Sequence, residues 1–161
     1  MRLAFVAVVA LLPALAFACG SGGDKGGEDG GGTLPTAEIT LIGTAGERAD
    51  LTVELARTAA ERGRGLMFRE EMAEERGMLF VFAQETRAGF WMKDTKIALS
   101  IAFIAGDGTI LETQDMEPLA EETHAPGKPY RYALEVNQGW FARHGLGSGD
   151  RVEIPADVTA E

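Results

Sequence analysis

Trp91, Lys93 and Asp94 lie together in Gly89-Phe90-Trp91-Met92-Lys93-Asp94-Thr95, the stretch richest in side chains able to do chemistry. Trp91 has a flat face with a donor at its edge, suited to stacking a sugar or another planar ligand. Lys93 is fit to bind an anionic group. Asp94 would act as acid or base if burial raised its pKa. The same residues also fit a plain strand end. Phe90 and Met92 would then fill the core, Trp91 would pack on the other face, and Lys93 and Asp94 would solvate a turn. Arg64 and Arg69 flank Gly65-Leu66-Met67-Phe68. Their planar forks suit a carboxylate or phosphate, and surface ion pairs to Glu61, Glu70 or Glu71 are the plainer use. Glu135 sits between Leu134 and Val136 and reads as the polar side of a strand, paired with Lys93 or Arg131 of a neighbour.

Other chemistries are poorly served. His124 and His144 are the two histidines, and neither sits in a cluster with ligand spacing, so no metal or other cofactor is implied. Ser100 and Ser148 lack a nucleophile-elbow motif. The Gly-rich run Gly145 to Asp150 precedes a strand pattern rather than a helix, unlike a phosphate cradle. Fifteen Lys and Arg stand against 25 Asp and Glu, for a formal net charge of -10. No basic stripe is available to displace counterions from nucleic acid, which excludes that class of partner.

The elements that must position these residues are mostly strands. Segments 38–42 and 49–56 read as two strands, the second alternating Leu51, Val53 and Leu55 with Thr52 and Glu54. Thr58 and Glu61 have capping-box spacing and start a helix, which Gly63 and Gly65 bring close to a sheet or end early. Segment 77–82 is apolar on both faces, as a central strand should be, and a strand over 87–93 should follow. Two apolar runs flank Asp107-Gly108, a pair suited to a tight hairpin. Segment 130–136 alternates, Asn137 would cap a short helix through Trp140, Phe141 and His144, and a last strand closes at 149–154. Runs of strands joined by hairpin turns, about eight in all with two short helices, predict a mainly β fold. It should be a compact antiparallel sandwich or barrel-like domain over residues 34–161.

The N-terminus has a different character. Arg2 precedes an uncharged run from Leu3 to Ala18, broken by Pro13 and ending in small residues, the pattern of an export signal over 1–18. The run is shorter than the ~20 residues a membrane span needs. Cys19, the single cysteine, follows at once and has no internal disulfide partner. The pattern resembles a bacterial lipoprotein signal, in which Cys19 is the lipidated first residue of the mature chain. Cleavage without lipidation, giving a soluble exported protein, is the alternative. Residues 19–33 then form a flexible Gly-rich linker spanning about 20 Å. The expected location is the periplasm or cell exterior, at a membrane.

Taken together, "ERGRGLMFRE", "GMLFVF", "FWMKDTKIALSIAFI", "YALEVNQGWFARHGL" and "GDRVEI" resemble the DUF192 (UPF0127) family of uncharacterised proteins, over nearly all of residues 48–154 and in the family's order. The resemblance implies a compact β-rich fold and names no activity. The family usually has Asn where this chain has Asp94, and Asp where it has Ser100. It thus directs attention to Asp94 and Ser100, which join Trp91, Lys93 and Arg64 as the candidate binding set, with Asp94 and Lys93 the catalytic candidates. The leading expectation is a lipid-anchored envelope domain that binds a small molecule, a glycan or other polymer, or a partner protein. A hydrolase or lyase using Asp94 is one alternative, and an accessory factor for another exported protein is a second.

Overall fold

The structure, a computed structural model, describes residues 33–161. The export signal, Cys19 and all but the last residue of the linker lie outside the described residues. Among those described, no helix is long and apolar enough to cross a membrane.

Seven strands and two short helices follow in order: β1 (Thr36–Ile42), β2 (Arg48–Ala56), α1 (Ala59–Arg64), β3 (Arg76–Thr86), β4 (Leu99–Ile104), β5 (Ile110–Met116), β6 (Tyr130–Asn137), α2 (Trp140–Arg143) and β7 (Arg151–Glu153). They form one sheet in the order β5-β4-β6-β3-β2-β1-β7. All pairings are antiparallel except β2 with β3, which run parallel. The long connection through α1 allows this reversal, since parallel neighbours need a crossover. The sheet curls until its edges meet. Ile110 N donates to Asp150 O and Val152 N to Gly108 O, each at 2.8 Å. The fold is therefore mainly β and barrel-like, as the strand pattern predicts.

Two apolar layers follow from alternation along the strands. The inner one draws on all seven, among them Leu41, Val53, Leu79, Ile104, Ile110, Leu134 and Val152, and is plugged by Trp140 and Phe141 of α2. The outer one holds Met78 and Phe80 of β3, Ile101 and Phe103 of β4, Ala133 of β6, and Leu66 and Met92 from the connections. β3 and β4 read as apolar on both faces because both faces are covered.

Local signals behave as their chemistry requires. Thr58 and Glu61 complete the capping box: Glu61 N donates to Thr58 Oγ1 at 3.2 Å and Thr58 N to Glu61 Oε2 at 2.8 Å. Those backbone donors hold the Glu61 carboxyl below its ordinary pKa. Gly65 ends the helix at φ +50°, and a Cβ there would come within 3.3 Å of the Phe80 ring. Gly108, at φ +91°, makes the β4–β5 hairpin. Asn137 does not cap α2. It ends β6 and donates to Met72 O and Ala73 O, while Gly139 at φ +75° takes the cap.

Gly77 marks the tightest strand contact. A Cβ there would lie 2.7 Å from the Glu135 carbonyl oxygen, with Leu51 and Val136 side chains at 3.2 Å. Backbone cannot yield as a side chain can, so Gly77→Ala should cost about 1–3 kcal/mol in urea denaturation. Gly127→Ala, which meets open space, should change stability by less than about 0.5 kcal/mol.

Candidate functional site

The expected strand over 87–93 is absent. Only Phe90 makes a bridge, with His124, through bonds of 2.8 and 2.7 Å, while Met92 N donates to Ala120 O at 2.9 Å. The segment crosses the outer face of the sheet and satisfies its backbone on the 117–124 loop instead of a ladder. Its alternation survives without strand pairing. Phe90 and Met92 turn inward and Trp91 is left 49% exposed. The Phe90 ring meets Phe80 edge-on at 4.9 Å and Phe103 at 6.0 Å. Tyr130 Oη pins the segment by donating to Ala88 O at 2.6 Å, and burial pushes its phenol pKa up.

Where this cover meets the C-terminal end of α1 it leaves a pocket of about 220 Å³. Phe80, Phe82 and Phe90 wall it, exposed Arg64 and Trp91 stand at its mouth, and buried Glu135 lies at its base. Glu135 sits mid-strand on β6, paired in register with Met78 of β3 and Ile101 of β4, both buried. No hydrogen bond or ion pair reaches its carboxyl among the described residues. Loss of water alone pushes its pKa up to about 8, so at neutral pH the group is mostly a neutral acid, able to donate a proton in a hydrogen bond. The expected pairing with Lys93 or Arg131 is not formed. Arg62 is held in the wall by Arg57 O and Val81 O, the latter at 2.9 Å, with its guanidinium 5.0 Å from the Phe82 ring centre.

Of the residues singled out in the sequence, Trp91 and Arg64 reach this pocket. Lys93 lies beside it, its Nζ 5.3 Å from the Trp91 ring centre in a cation–π contact. Asp94 is exposed and does not line the pocket. Its backbone is at φ +57°, its carbonyl accepts from Phe68 N at 2.7 Å, and Thr95 N closes the turn onto Met92 O at 3.0 Å. Asn and Asp are the non-glycine residues best tolerated in that conformation, which accounts physically for either at this position. Ser100 is on the opposite face of β4, alternating with Ile101. It is buried, donates to Asp115 Oδ1 and accepts from Gly139 N at 2.8 Å, tying β4 to β5 and to the start of α2.

The remaining charges have other partners. Arg69 pairs with Glu54 at 2.5 Å, not with Glu61, Glu70 or Glu71, and Glu70 pairs with Lys96 at 2.7 Å. His144 stacks on Trp140 at 4.1 Å, and His124 Nδ1 faces Gln114 Oε1 at 3.2 Å. Among the described residues no group of three or more His, Cys, Asp or Glu is placed to hold a metal ion.

The family model of DUF192, described as Uncharacterized ACR, matches residues 40–154. The chain belongs to the DUF192 family. Two solved structures share its fold and much of its sequence. One is a protein of Sinorhizobium meliloti 1021 described as a "putative transcription regulator", 39% identical, with TM-score 0.75, covering 77% of this chain and 97% of the other. The second is a protein of unknown function from Novosphingobium aromaticivorans DSM 12444, 38% identical, with TM-score 0.72, covering 75% and 86%. No curated protein matches the chain. The pocket, from Arg62 to Glu135, lies wholly inside the DUF192 match.

Glu135 makes a pH-dependent contribution of definite sign. Its folded pKa, about 8, lies above the ordinary 4.5, so the folded state keeps the proton to higher pH than the unfolded chain does. Stability from this group is complete below pH 4.5, falls as pH rises, and levels off above 8. Glu135→Gln removes the titration. Relative to wild type, the variant should gain about 3 kcal/mol between pH 5 and 7.5 at about 1.4 kcal/mol per unit, read from urea denaturation across that range. A constant difference would contradict the burial of this carboxyl.

Proposed function

We propose that this chain is an exported protein, held at a membrane by a lipidated Cys19, whose DUF192 domain binds a small ligand in the pocket above Glu135. The observation that carries the binding reading is the carboxyl itself. It is an acid in an apolar layer that opens on the pocket and is engaged by no side chain of the fold among the described residues, so a ligand entering the pocket meets a hydrogen-bonding group at its base. About 220 Å³ is smaller than the ~300–1,000 Å³ of drug-sized sites, so the ligand is small or is one unit of a larger molecule. Trp91 at the mouth supports stacking of a planar or sugar-like group.

Binding is better supported than a reaction. The hydrolase or lyase alternative needs Asp94 at the pocket, and Asp94 does not line it. Glu135 is an acid at the right depth, yet the other lining side chains with a hydrogen-bonding group are Arg62, Arg64, Trp91 and Thr95, and Thr95 Oγ1 is turned to Lys93 O at 3.3 Å. No second proton-transfer group stands beside it. The regulator description of the Sinorhizobium protein is not carried over, because a net charge of -10 leaves no basic stripe for a nucleic-acid backbone.

Screening fragments against the purified protein by amide NMR should give ligands that shift Phe80, Phe90 and Glu135. Trp91→Ala should weaken them roughly three- to tenfold, the worth of one aromatic contact. Shifts confined to other surfaces, or equal affinity for the variant, would count against the pocket. The anchor is checked separately: wild type should partition into the detergent phase of a Triton X-114 extract of the producing bacterium, and Cys19→Ala should stay in the aqueous phase. Unchanged partitioning of the variant would rule out lipidation as the cause.

A further inference from the structure

The charges around the pocket do not follow the acidity of the chain. Against a net charge of -10, the charged side chains of the lining are Arg62, Arg64 and the buried Glu135. Neither Arg62 nor Arg64 forms an ion pair with a carboxylate among the described residues. Lys93, resting on Trp91 at the same mouth, has no carboxylate partner among them either. The neighbouring cations differ: Arg69 is matched by Glu54 and Lys96 by Glu70. Uncompensated cations thus collect at the opening, while apolar rings separate them from one acid at the base.

We propose that the ligand is a small organic oxyanion, a carboxylate or phosphate ester, held by Arg64 at the mouth, with Arg62 in the wall adding positive potential, and presenting a hydroxyl or carbonyl to the Glu135 carboxyl at the base. This rests on the reading of the pocket as a ligand site and specifies the ligand's chemistry. Arginine suits the anionic end because its fork meets two oxygens at once, and the partly enclosed mouth strengthens the attraction relative to open water. Phe80 and Phe90 leave the middle of the pocket for an apolar body. The neutral form of Glu135, favoured by burial, removes the repulsion that an ionised acid would exert on an anion.

Titration calorimetry with four probes of one shape tests this: 4-hydroxybenzoate, 4-hydroxyphenyl phosphate, 4-hydroxybenzamide and 4-hydroxybenzylamine. One or both anions should bind at least tenfold more tightly than the amide, as expected for a charge-assisted hydrogen bond, and the amine should be weakest. The ratio of the two anions distinguishes carboxylate from phosphate. Arg64→Ala should abolish the preference for anion over amide. Glu135→Gln should keep that preference while reducing the gain of 4-hydroxybenzoate over benzoate. Amide or amine binding as tightly as the anions, or an anion preference that survives Arg64→Ala, would overturn this assignment and leave the pocket standing. Failure of every probe to bind while the fragment screen still places ligands at Phe80, Phe90 and Glu135 would overturn this assignment alone; failure of both would overturn the pocket reading with it.

Discussion

β3 and β4 are apolar on both faces, and that constraint shapes the rest of the domain. One face of each closes around the inner core with α2 as a plug. The other must also be removed from water, and no second sheet is present among the described residues to do it. Phe90 and Met92 do it instead, from a segment that lies across the strands without pairing to them. Aromatic contacts from Phe90 to Phe80 and Phe103, and the Tyr130 bond to Ala88, hold the cover down. Gly89 shows how closely it is seated: a Cβ there would meet Thr123 at 2.1 Å.

The candidate site is a consequence of that cover. A polar residue on the outer face of β6 would be solvated on a bare sheet. Under the cover it becomes an acid in an apolar layer, with its pKa raised and an opening on one side. The cover ends in a turn at Lys93-Asp94, which exposes Trp91 and places Lys93 against its ring. The C-terminal end of α1, stopped at Gly65, brings Arg64 to the other side of the opening and Arg62 into the wall. Packing demand thus leads to burial, burial to an unusual protonation state, and both to a pocket with cations outside and a neutral acid inside.

Much of the fold was legible because its signals are local. The capping box at Thr58 and Glu61, the Asp107-Gly108 hairpin and the two-faced strands are each written within a few residues. The strand order was not legible, since the parallel β2–β3 pair depends on how a long connection packs. Residues 87–93 show the limit of a periodicity argument. Alternation correctly separates Phe90 and Met92 from Trp91, but it reports which side is buried, not whether a ladder forms. The site was legible in part. Trp91 and Arg64 reach the pocket, while Asp94 serves a left-handed turn through its backbone and Ser100 faces the opposite side of the sheet. Glu135 reads in the sequence as the polar side of a strand paired with Lys93 or Arg131, because its burial comes from segments that cross the outer face and lie far from it in the chain. The available signal was its place in a strand otherwise rich in Tyr, Leu and Val, where an acid has to be accounted for.

The central claim is that the Glu135 carboxyl is buried, unpaired and protonated at neutral pH. Carbon-13 NMR of the side-chain carboxyl, assigned by comparison with Glu135→Gln and followed from pH 3 to 10, tests it most directly. A titration midpoint near 8 is the result this structure predicts. A midpoint near the ordinary 4.5 would mean that the group is solvated or ion-paired, and would contradict the account of the pocket built on it.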